Sequence, residues 1–204
     1  INGRFLVDQH GNKFAEYGYA KIGPGFQQID LQRSGGFTAP IVLSNVVSRN
    51  EGDPVATRLR NVQSSSFEVQ LDEPNYLGGS KGKSFHTEEI ISYFVIEAGK
   101  HELKDGSIFL AKSEGQKRHP SNPSHKVNSW SSTINFTGAN FQEVPVLFGQ
   151  SQTYSGSDFI TTRTKNVTKT GFQYSFQEEE SKGGHPAQEI FSWMAYSEIG
   201  RAHV

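Results

Sequence analysis

Apolar and polar residues alternate along FEVQL (67–71) and FQYSF (172–176), the period of two that a half-buried β-strand requires. VATRLRNV (55–62) sets Val55, Thr57 and Leu59 on one face and Arg58 and Arg60 on the other. EIISYFVIE (89–97) and EIFSWMAY (189–196) are apolar at both parities instead, which predicts central strands buried on both sides. Turn-rich stretches separate these runs: Asn50-Glu51-Gly52-Asp53-Pro54, Gly78-Gly79-Ser80 and Gly183-Gly184. No window sustains a 3.6-residue period with caps, so helix is expected to be almost absent. About six short strands per ~100 residues predicts β-sandwiches.

The pattern occurs twice. Residues 40–73 and 145–178 align at a constant offset of 105 without a gap. Pro40, Asp53, Thr57, Arg58, Asn61, Val62, Phe67 and Glu73 meet Pro145, Asp158, Thr162, Arg163, Asn166, Val167, Phe172 and Glu178, which is 8 identities in 34 positions. Beyond a loop six residues longer in the first copy, His86 pairs with His185, Glu89-Ile90 with Glu189-Ile190, and Ser92-Tyr93 with Ser192-Trp193. The expected organisation is two tandem six-stranded antiparallel β-sandwiches, 1–103 and 104–204, in a piece cut from a larger exported protein. A sandwich that small buries only part of its surface, so packing between copies is expected.

Composition narrows the function. The 204 residues hold 20 Lys and Arg against 21 Asp and Glu, a net charge of -1. No basic surplus is there to bind a phosphate backbone, which argues against a nucleic-acid partner. No apolar run approaches the ~20 residues that span a bilayer, which argues against membrane insertion. The absence of Cys removes disulfides, thiolate metal sites and Cys nucleophiles together.

Polar residues that recur in both copies are the candidate site: Asp53 and Asp158, Arg58 and Arg163, Glu73 and Glu178, His86 and His185. Two readings compete for them. In the structural one, Arg58 pairs with Glu89 or Glu73 across neighbouring strands, and the Asp pair closes turns. In the functional one, these groups sit at loop ends and hydrogen-bond sugar hydroxyls. Tyr76 or Phe85, and Tyr154 or Phe159, would then supply an aromatic face for the C–H side of the ring. A calcium site at His86 with Glu88 and Glu89, or at His185 with 178–180, matches no strong ligand spacing, and no cofactor is expected. Glu178-Glu179-Glu180 does not suit a glycosidase, because adjacent strand residues face opposite ways. Nucleophile elbow, HExxH and P-loop are all missing from the chain, so a non-catalytic protein is expected.

INFTGANFQEVPVLFGQ, TTRTKNVTKTGFQYSF and IFSWMAY, in that order and spacing, resemble the H-type lectin domain over residues 133–196, and over 28–97 less closely. The resemblance implies an antiparallel six-stranded sandwich that trimerises and binds sugars, often N-acetylgalactosamine. The family's sugar-binding Arg would fall at Phe159 and Pro54, and its Trp-His pair near Glu178-Glu179. The site chemistry therefore departs from the family pattern while the fold pattern is kept.

The expected function is a carbohydrate-binding module, recognising a glycan or polysaccharide, within a secreted or cell-surface protein. Each copy would carry one shallow site, with trimerisation or packing against further repeats. The rival is a structural or oligomerising spacer of a surface adhesin or fibre, with no sugar site.

Overall fold

The computed structural model describes residues 4–74, 86–117, 130–178 and 187–198. Fourteen strands follow one another, with no helix among the described residues. The first seven are β1 (Arg4–Val7), β2 (Lys13–Ile22), β3 (Gln27–Asp30), β4 (Pro40–Val46), β5 (Ala56–Arg60), β6 (Ser66–Asp72) and β7 (Glu89–Glu97). The second seven are β8 (Gly99–Glu102), β9 (Ile108–Lys117), β10 (Ile134–Asn135), β11 (Val146–Ser151), β12 (Ile160–Lys165), β13 (Gly171–Glu178) and β14 (Glu189–Ser197).

The two sets repeat one topology. In the first, a four-stranded sheet β1-β2-β7-β4 pairs with a three-stranded sheet β3-β6-β5; in the second, β8-β9-β14-β11 pairs with β10-β13-β12. Every pairing is antiparallel. Among the described residues each copy thus has seven strands where six were expected, because an edge hairpin strand, β1 or β8, precedes the rest. β8 lies ahead of residue 103 yet pairs with β9, so the sheets of the second copy draw on residues from Gly99 onward.

The identities between copies mark the same structural places. Asn61 and Asn166 both adopt positive φ, 48° and 52°, in the left-handed region that Asn tolerates better than most residues. Each turns the chain from the fifth strand of its copy into the sixth. Each side chain donates seven residues onward, Asn61 to Glu68 at 3.0 Å and Asn166 to Gln173 at 2.8 Å. Phe67 and Phe172 are both fully buried in their own cores.

Central position explains the apolar runs. β7 runs between β2 and β4, and β14 between β9 and β11. Ile91, Tyr93 and Val95 face the core of the first sandwich, while Phe191, Trp193 and Ala195 face that of the second. The opposite parity enters a third cluster lying between the two four-stranded sheets. There Phe14, Ala15, Ile41 and Ile96 meet Phe109, Ala111 and Met194, with Leu43, Phe94 and Tyr196 packed around them. The sandwiches therefore stand with their four-stranded sheets against each other, and the face each would expose alone is covered by its sibling.

Candidate functional site

Beside this third core, with Leu43, Phe94 and Met194 shared between them, the space between the copies opens into a cleft of about 860 Å³. Strand register builds one wall. Tyr19 on β2 stands opposite Ser92 on β7, and Ser92 stands opposite Asn45 on β4. The three share one face and span about 10 Å across three strands. Tyr19 is 55% exposed. Phe148 and Gln150 of β11 and Thr161 and Thr162 of β12 line the second copy's side. Among the described residues no Asp, Glu, Lys or His contributes to the lining, and Arg58 is the one charged residue there.

Arg58 is already committed. It is 2% exposed and ion-pairs with Asp72 of its own sheet at 3.4 Å and with Glu189 of the second copy at 3.2 Å. It also donates to the backbone carbonyl of Asp158 at 2.7 Å and lies over the Tyr154 ring, 4.7 Å from its centroid. Tyr154 meets Phe26 edge-on at 5.0 Å, and Arg60 covers the other ring of that pair, Phe26, at 3.8 Å. Burial and then the Asp72 carboxylate raise the Tyr154 phenol above its ordinary pKa. Arg58, Tyr154 and Asp158 come together, but as a junction between the copies. The expected partners Glu89 and Glu73 are replaced by Asp72 and Glu189, because the sibling copy offers a buried carboxylate nearer the guanidinium.

The recurring pair Glu89 and Glu189 organises loops. Glu89 accepts from the Ser48 hydroxyl and the Asn50 N–H, and Glu189 from the Thr153 hydroxyl and the Ser155 N–H. The same hydroxyls accept from the N–H groups of Ile90 and Ile190. Burial works against the Glu89 carboxylate, yet Ser48, the Asn50 and Glu51 N–H groups and His86 together hold its pKa below the ordinary value.

His86 sits among the carboxylates of Glu51, Glu73 and Glu89. Its ligand atom and those of Glu51 and Glu73 lie within 4.8 Å of one another, a spacing a metal ion could bridge. The ring is 1% exposed, with Nδ1 at 3.0 Å from the Thr87 carbonyl and Nε2 at 3.3 Å from the Asp53 carbonyl. A carbonyl only accepts, so each contact is a hydrogen bond when its nitrogen carries a proton, and the imidazolium form makes both. Burial opposes that charge, but the two carbonyls and the Glu51 and Glu73 carboxylates outweigh it and raise the pKa. A metal ligand needs a bare ring nitrogen; this geometry suits a charged His among carboxylates.

The other expected site residues lie apart. Asp53 is exposed on the loop before β5 and takes part through its carbonyl. Arg163 holds the place of Arg58 but is exposed and donates to Gln177 at 2.9 Å. Glu178 closes β13 opposite Ile160. Tyr76 and His185 lie outside the described residues. The cleft residues Tyr19, Asn45 and Gln150 were not singled out from the sequence. Tyr17 and Tyr19, two positions apart in AEYGYAKI (15–22) and so on one face of a strand, were the signal available.

No family model and no solved structure matches the chain. The chain is similar to halomucin of Haloquadratum walsbyi, 29% identical over 177 residues. That match covers 79% of this chain and spans 2% of the length of halomucin.

Proposed function

We propose that the chain is a non-catalytic carbohydrate-binding unit of a surface or secreted protein, with its site in the cleft between the copies. The row of Tyr19, Ser92 and Asn45 carries the reading. An exposed aromatic ring offers its face to the C–H side of a pyranose, while a hydroxyl and a carboxamide at cross-strand spacing offer paired donors and acceptors. The absence of unspent charge along the lining favours a neutral sugar over an acidic one. The surface location is supported by the similarity to halomucin. In this reading the two copies share one composite site, in place of one shallow site per copy.

A glycan array, followed by calorimetry on the hits, tests it. Neutral glycans should bind, and Tyr19→Ala should weaken them about tenfold, the scale of one lost aromatic contact. An array silent across neutral and acidic glycans would leave the spacer role as the better account.

A further inference from the structure

Sheet edges present unpaired backbone groups, and proteins guard them with charge, brevity or a cover. Among the described strands the edges are β1, β3, β4, β5, β8, β10, β11 and β12. Arg4 guards β1, Asp30 guards β3, and Arg60 guards β5. Lys100 and Glu102 guard β8, Arg163 and Lys165 guard β12, and β10 has only two residues. β4 carries no charge, but the second copy covers it: the Gln152 carboxamide bonds the N–H and carbonyl of Val42, and the Gln150 oxygen accepts from the Ser44 N–H. Among the described residues, β11 alone, VLFGQS, has neither charge nor cover of that kind.

The repeat shows what kind of body such a strand meets, through its side chains, in the first copy. At the offset of 105, Val146 and Phe148 are the counterparts of Ile41 and Leu43. In the first copy Ile41 is buried, and both pack in the core shared with a unit of the same fold. In the second copy Val146 and Phe148 are 55% and 51% exposed, with Val144 beside them equally bare. Leu147 and Gly149 hold the places of Val42 and Ser44, whose N–H groups point off the sheet edge to the glutamines. An uncharged edge of alternating apolar residues is a template for another strand.

We propose that β11 is a homodimerisation edge, pairing antiparallel with β11 of a second copy of this chain. Two-fold symmetry about Phe148 sets Leu147 against the partner chain's Gly149, so that each N–H meets a carbonyl, and brings the two Phe148 rings side by side. The two four-stranded sheets become one of eight strands. This does not rest on the sugar reading, although Phe148, unlike Val146, also lines the cleft, and Tyr19→Ala should leave it intact.

Sedimentation velocity of the full chain over a concentration series is the test. The expected result is a concentration-dependent dimer that Val146→Lys and Phe148→Lys each convert to monomer, with circular dichroism unchanged. Thr164→Lys, on the exposed face of the guarded β12 edge, should dimerise as the wild type does. Independently of any variant, hydrogen exchange at Leu147 and Gly149 should slow as concentration rises. A wild type that stays monomeric, open-ended aggregation, a dimer that survives both lysines, or amides at 147 and 149 insensitive to concentration would overturn the proposal.

Discussion

The side chain of Gln152 in the second copy treats Val42 of the first as a strand neighbour would: its Oε1 accepts from the Val42 N–H at 2.8 Å, and its Nε2 donates to the Val42 carbonyl at 2.7 Å. One amide thus satisfies both backbone groups of a buried edge residue, and beside it Gln150 accepts from the Ser44 N–H while the Thr57 hydroxyl donates to the Ser44 carbonyl. Unpaired, such buried groups cost about 1–3 kcal/mol each.

Gln152→Leu keeps the bulk and removes both bonds. It should destabilise the chain by about 2–4 kcal/mol, two orphaned groups less some relaxation. Urea denaturation reads the loss. Because the damage is at the seam, the single transition should also broaden or split as the copies unfold separately. An unchanged midpoint would mean that Val42 finds water instead.

Arg58→Met should cost about 3–5 kcal/mol, since it strands Asp72 and Glu189 as buried carboxylates without their cation. Arg163→Met, the same change at the matching position of the second copy, should cost within ~0.5 kcal/mol, as an exposed side chain does. Thermal melts of the two variants side by side compare them. Equal losses would contradict the asymmetry between the copies.

His86 makes stability depend on pH in a definite direction. Its pKa is raised on folding, so its contribution is fully present below the unfolded value of about 6.5 and is lost as pH rises through the higher folded value. Glu89 runs the other way: its lowered pKa contributes above the ordinary carboxylate value and fades as pH falls through the folded one. The melting temperature should therefore decline on the alkaline side of pH 6.5, and His86→Gln should flatten that limb while leaving the acid limb. Nuclear magnetic resonance titration of the His86 ring gives the same test directly.

Gly149→Ala should destabilise by about 1–3 kcal/mol through overpacking. A Cβ at that position would run into the fully buried Phe191 ring. Calorimetry on this variant should show the loss, whereas Gly11→Ala, which meets open space, suffers only the strain of its positive φ.

Duplication at an offset of 105, the all-β class and the two-sided burial of β7 and β14 were legible in the residues themselves. Alternation and identity are local, and a strand carries its own parity. The seventh strand of each copy was harder to see, because an edge strand of four residues such as RFLV or GKHE leaves little periodic signal. The site was less legible still. Arg58 and Arg163 are the same residue at the same place in two similar strands, yet one is buried in an ion network and the other lies in solvent. The sequence does show Gln177 in the place of Asp72, an uncharged partner for Arg163, but not the carboxylate that the sibling copy brings to Arg58. Their fates depend on which face of each sandwich the other one covers, and the cleft beside Tyr19 is likewise a space between two bodies. Contacts between residues a hundred positions apart are made by packing, so tertiary structure alone decided them.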